Sequence, residues 1–159
     1  REKNLKIKKE LNLLLRYKAI GLVKLTNYDL TNKLIEWLKI LPANFVVHFE
    51  WADREKLSTN VVITWENIKD NLSGFDFVLC DDCITGINTY MEKWITPIIF
   101  RDNHISSILS EFNPLKDFGN SFLYDEENEW AMFYAIIRYM ENYKFPYDNE
   151  NLIKNILEI

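Results

Sequence analysis

Residues 75–101 read FDFVLCDDCITGINTYMEKWITPIIFR, and the order of apolar and polar stretches in them leaves few ways to fold. A short apolar run, 75–80, closes on two aspartates, Asp81 and Asp82. Small and polar residues follow, then helical sequence to Trp94, a stop at Thr96-Pro97, and a second apolar run, Ile98-Ile99-Phe100. Short continuous apolar runs suit strands covered on both faces. Strand, loop, helix and strand make a βαβ unit, joined by a right-handed crossover. In sheets built from such units the loop at the carboxyl end of a strand faces the ligand crevice. The helix that follows offers free backbone N–H groups, which suit a phosphate.

The rest of the chain repeats the alternation. A helix is expected over residues 2–16, with Ile7, Leu11, Leu14 and Leu15 on one stripe. A strand follows at 19–25, then turn and cap residues Thr26, Asn27 and Asp29, and a helix at 30–41 that Pro42 ends. Strands are expected at 45–49 and 61–65, with one or two helical turns at 52–57 and a short helix at 66–72. Beyond the central unit come a helix at 103–112, a strand at 121–124, and a long helix capped by Asp125 that runs to Tyr143. A linker at 145–147 leads to a last helix from Asn149. The fold class is therefore α/β: a doubly wound, mostly parallel, six-stranded Rossmann-like sheet with helices on both faces. The usual order of that class, 3-2-1-4-5-6, puts the switch point between the first and fourth strands. Thr26, Asn27 and Tyr28 would line the crevice there, together with residues 81–89.

A length of 159 residues fits one domain. The net charge of −5 hides an asymmetry: residues 1–24 carry eight basic side chains against two acidic ones, and the remainder carries −11. An acidic body argues against nucleic acid as a partner. The basic segment reads as a solvated helix face, with peripheral contact to an anionic membrane as the alternative. No apolar run approaches the ~20 residues of a membrane span. With no signal-peptide core and only Cys80 and Cys83 as cysteines, the expectation is a cytoplasmic protein with free thiols, with the inner face of the membrane as the alternative place of work.

Cys80-Asp81-Asp82-Cys83 has the spacing of a redox dithiol, but the apolar setting of Cys80 favours a buried, inert thiol. Asp81 and Asp82 could hold Mg²⁺; the plainer reading is one helix cap and one solvated carboxylate, and no resident cofactor is expected. His48 and His104 are too far apart in sequence to suggest a zinc site. Thr85, Gly86, Asn88 and Thr89 are the anion candidates: glycine lets the backbone approach and the hydroxyls add donors. His104 follows the fifth strand and is the one candidate for a catalytic base, against an ordinary surface histidine. Most aromatics belong to the core, with Trp65, at the end of the third strand, the one placed to stack on a base.

In its pattern the chain resembles the C-terminal, nucleotide-binding half of GT-B-fold glycosyltransferases and their relatives. The likeness runs through Lys9-Glu10-Leu11-Asn12-Leu13 and the strand after it, Asn60-Val61-Val62-Ile63, and Gly74-Phe75-Asp76-Phe77-Val78. It continues through Gly86, Thr89 and Glu92 to Pro97-Ile98-Ile99, and through 119–124 with the long helix after it. The resemblance implies a domain that holds a nucleotide-sugar or other nucleotide-activated donor, in an enzyme of surface polysaccharide or glycoconjugate synthesis. It implies that the base lies by Trp65-Glu66, that the diphosphate lies near Thr85 and Gly86, and that Glu92 holds the ribose. Thr26, Asn27, Thr89 and Arg101 complete the implied donor site. The chain departs from the family in having Thr26-Asn27-Tyr28 where glycine is usual after the first strand. It also has Tyr90 where the family's acid stands, seven residues before the proline. The resemblance further implies an N-terminal acceptor-binding domain elsewhere, so that residues 1–159 would be the donor half of a larger protein. A noncatalytic α/β interaction domain is the competing expectation.

Overall fold

The computed structural model describes residues 2–67, 69–81, 86–102 and 108–157. Seven strands form one sheet: β1 (Ile20–Lys24), β2 (Asn44–His48), β3 (Glu55–Lys56), β4 (Val61–Thr64), β5 (Phe77–Cys80), β6 (Thr96–Phe100) and β7 (Phe122–Tyr124). Their order is β3-β4-β2-β1-β5-β6-β7, and every neighbouring pair is parallel except β3 with β4. Without the two-residue edge strand β3, this is the expected six-stranded parallel sheet, with its first strand beside its fourth.

The helices are α1 (Glu2–Glu10), α2 (Tyr28–Leu38), α3 (Ile87–Glu92), α4 (Glu129–Tyr143) and α5 (Pro146–Leu157), with a 3₁₀ helix at Lys69–Gly74. From the switch point the chain moves one way through α2 to β2 and the other way through α3 to β6. Right-handed crossovers therefore set α2 and α3 on opposite faces. The long helix α4 packs beside α2, and α5 packs on α3 and β6.

Burial on both faces explains why the strands read as unbroken apolar runs. Ile20, Leu22, Val23, Phe45, Val46 and the whole of β5 are inaccessible to solvent. Gly21 lies in register with Phe45 on one side and Phe77 on the other. A Cβ there would run into the Phe77 ring, which packs in turn on Tyr139 of α4 at 4.6 Å between centroids. Two buried asparagines tie the amino ends of the strands to their connections. Asn60 donates to the carbonyls of Leu38, Leu41 and Ala43 at 2.9–3.0 Å, where α2 ends. Asn44 exchanges bonds with the backbone of Leu14 and donates to Tyr17 O.

The chain departs from expectation at several local features. The first helix stops at Glu10 because Asn12 takes a left-handed φ of 56°, a conformation asparagine tolerates as a helix ends. Residues 52–57 are not helical. Glu55 and Lys56 pair with Ile63 and Val62, because the open edge of β4 offers backbone partners that one helical turn lacks. The expected helix at 103–112 falls partly outside the described residues, and its described part is not helical. There Phe112 N donates to Ser121 O at 2.9 Å and Ser110 N to the Asn120 side chain at 3.0 Å. Those long-range bonds use the groups a helix would need. Gly119, at φ 100°, makes the return possible, since a Cβ would meet the Glu111 carbonyl. Asn128, not Asp125, caps α4 by accepting from Ala131 N. The expected linker begins α5, with Pro146 as its first residue, where a missing N–H costs nothing. Pro97 lies inside β6, but β7 pairs only from Ile98 onward, so the ladder loses no donor there. Cys80 is buried as expected, but it is disulfide-bonded and not a free thiol. The chain's one other cysteine is Cys83, outside the described residues.

Candidate functional site

A crevice opens at the carboxyl ends of β1, β2, β4 and β5, across the switch point. It has two lobes that share Lys24, His48, Trp65, Gly86 and Tyr90. Lys24 and His48 are the last residues of β1 and β2; Trp65 follows β4, and Gly86 and Tyr90 belong to the start and middle of α3. The first lobe, about 530 Å³, adds Thr26, Glu50, Trp51 and Asp81. The second, about 690 Å³, adds Asn67, Leu72, Thr89 and Lys93. Sheets of this class bind ligands at such a position.

One wall is aromatic. The His48 imidazole stacks on the Trp65 indole, with centroids 4.8 Å apart and 22° between planes. Trp51 lies 6.2 Å from Trp65 and is 81% exposed. Its backbone has a left-handed φ of 62°, uncommon for so large a side chain. Phe49 and Tyr28 pack edge to face behind it, at 5.2 Å. The wall is braced from below. His48 Nε2 lies 3.1 Å from the Glu66 carbonyl, and the Glu66 carboxylate takes two donors of Arg54, at 2.7 and 3.1 Å. Burial lowers the His48 pKa below the usual histidine range. The hydrogen bond to the Glu66 carbonyl opposes that shift, and the nearby Lys24 charge adds to it. The ring is thus a neutral, flat support.

Charge lines the same crevice. Lys24 faces both lobes and Lys93 the second, and neither is in an ion pair among the described residues. Among the described residues the lining acids, Glu50 and Asp81, lie on the first lobe and the second is lined by Lys24 and Lys93. Asp81 is engaged across the switch point: it accepts from Thr26 N at 3.0 Å and from Thr26 Oγ1 at 2.8 Å. Tyr90, nearly buried, has its pKa raised by burial and stays a neutral donor.

The expected site residues divide accordingly. Thr26, Trp65, Gly86 and Thr89 meet in this crevice. Asn27 does not line it; its side chain caps α2 by accepting from Leu30 N. Glu92 is exposed at the end of α3 and lines neither lobe, whereas Tyr90, two residues earlier, lines both. Arg101 is turned to Asp125, at 2.7 Å. Thr85, His104, Asp82 and Cys83 lie outside the described residues. Among the described residues no three His, Cys, Asp or Glu side chains gather where a metal could be held. Sequence reasoning missed Lys24, Lys93 and Trp51. A signal for two of them existed: Lys24 breaks an apolar run at the carboxyl end of the first strand, and Trp51 sits in the charged loop Glu50-Trp51-Ala52-Asp53-Arg54.

No protein-family model and no curated protein sequence matches this chain. What the crevice offers is therefore defined by its own chemistry: a flat aromatic support, two cations and the hydroxyls of Thr26 and Thr89 lining one space.

Proposed function

We propose that the chain binds a nucleoside diphosphate-linked donor and serves as the donor-binding half of a glycosyltransferase-like enzyme of surface polysaccharide or glycoconjugate synthesis. The observation that carries this reading is the pairing of the Trp65–His48 stack with the Lys24 and Lys93 charges in one crevice. A base stacks on the exposed indole of Trp65, with Trp51 at its edge. The diphosphate lies toward Lys24, Lys93 and the Thr89 hydroxyl. Gly86 keeps the floor open, since a side chain there would stand in the crevice, meeting Tyr90 at 3.8 Å among the described residues. Sugar transfer itself needs an acceptor site and a base that this reading assigns to a further domain.

Calorimetry with UDP, GDP and CDP, with and without Mg²⁺, tests the reading. Without a second domain, affinity should lie at a Kd on the order of 10⁻⁴–10⁻³ M. Trp65→Ala should weaken it by about fivefold, the equivalent of one stacking contact of order 1 kcal/mol. Gly86→Val should abolish it. Absence of binding at millimolar nucleotide, or affinity unchanged in both variants, would refute the donor site.

A further inference from the structure

We propose that the end of the molecule opposite the crevice docks on an anionic lipid bilayer. A groove of about 570 Å³ lies at the amino ends of β1 and β2, lined by Arg16, Tyr17, Lys18, Tyr143, Lys144 and Asn149 among others. A second groove of about 310 Å³ shares Lys18 and Tyr143 with it and adds Lys8, Leu5 and Leu15. Arg16 and Lys18, with the buried Lys8 behind them, thus meet the carboxyl end of α4 on one surface.

Apolar side chains stand among these cations. Leu15 precedes Arg16 and is 52% exposed; Phe145 and Tyr147 flank Pro146 and are 56% and 75% exposed. Ile40, two residues before Pro42 of the groove, is 69% exposed. Cations interleaved with exposed Leu, Ile, Phe and Tyr match the boundary between headgroups and acyl chains. A nucleic-acid backbone would use the cations and leave the aliphatic side chains in water. Arg16 and Lys18 belong to none of the ion pairs among the described residues, whereas Lys144 is held by Glu141 at 2.9 Å. Asp148 and Glu150, at the start of α5, oppose an anionic surface and set a limit on the attraction. Asn149 contributes a buried side-chain oxygen with no hydrogen-bond partner among the described residues, which a headgroup hydroxyl would satisfy. Docked by this end, the chain turns its crevice to the aqueous side. The inference stands whether or not the crevice takes a nucleotide.

The test is co-sedimentation of the whole chain with vesicles of phosphatidylcholine alone or mixed with phosphatidylglycerol. Binding should require phosphatidylglycerol and should fall as salt is added. The double variant Arg16→Gln/Lys18→Gln should lower partitioning about thirtyfold, given the attraction that each basic residue near such a surface supplies. Phe145→Ser should weaken the residual binding that survives high salt. All these side chains are solvent-exposed, so circular dichroism of the variants should match the parent. Equal binding to neutral vesicles, no binding to either kind, or variants that partition like the parent would overturn the proposal. So would displacement of the vesicles by a single-stranded RNA at lower concentration, or a concentration-dependent dimer that Phe145→Ser abolishes; these would assign the surface to nucleic acid or to a second copy.

Discussion

Replacing Asp76 with Asn should stabilise the protein at neutral pH and leave it unchanged in acid. Asp76 sits at the amino end of the central strand β5, with its carboxylate accepting from Ile20 N at 2.9 Å. Burial raises its pKa from 3.8 to about 6, and neither the Ile20 hydrogen bond nor the charge of Lys8 offsets that. The native state therefore holds this proton more tightly than the unfolded chain does. Below pH 3.8 both states are protonated and no penalty exists; as pH rises through the interval to about 6 the native state is progressively disfavoured. The shift of roughly two units corresponds to at most about 3 kcal/mol. Asp76 retains some solvent contact, and the substitution costs Lys8 its counter-charge, although Lys8 Nζ keeps its 2.8 Å bond to Lys18 O. A net gain of about 1–2 kcal/mol at pH 7.5 is expected. Asparagine keeps an oxygen for Ile20 N, so the geometry survives. Urea unfolding of both proteins from pH 4 to 7.5 measures the difference as a function of pH, in which titrating groups not coupled to Asp76 cancel. A difference that does not change over that range, or that favours the parent more at 7.5 than at 4, would refute the reasoning.

Three further outcomes follow from the packing and hydrogen bonds of the sheet and crevice. Gly21→Ala should cost about 1–3 kcal/mol in urea unfolding, because the Phe77 ring is fully buried and has no room to withdraw. Asn60→Ala should cost a similar 1–3 kcal/mol, since the carbonyls of Leu38, Leu41 and Ala43 lose their shared donor inside the protein. The His48 ring, followed by NMR, should titrate below the ordinary histidine range, and Lys24→Gln should move it part of the way back, leaving the larger effect of burial in place.

The parallel sheet was legible because double-sided burial writes itself into the chain. Runs such as 45–47 and 77–80 are apolar at every position, and a covered strand permits little else. The strand order, and with it a crevice between β1 and β5, is the usual one of the class; it comes from the class and is not written in the sequence. The edge was less legible. Glu55 and Lys56 carry no strand signal, and their pairing exists only because β4 presents a free edge. Residues 110–112 gave up helix for bonds to Asn120 and Ser121, ten or so residues away, which no local pattern encodes.

The same division runs through the site. The sequence by itself determined that Trp65 and Gly86 stand at strand and helix ends facing a crevice, because alternation fixes where each element begins. Only the tertiary structure decided which neighbours share it. Strand register carried Lys24 and His48 to the same level as Trp65, helical phase turned Tyr90 inward and Glu92 outward, and Asp125 drew Arg101 away. Burial in a parallel sheet is recorded residue by residue along the chain, whereas the meeting of side chains from four strands depends on distances that sequence order does not contain.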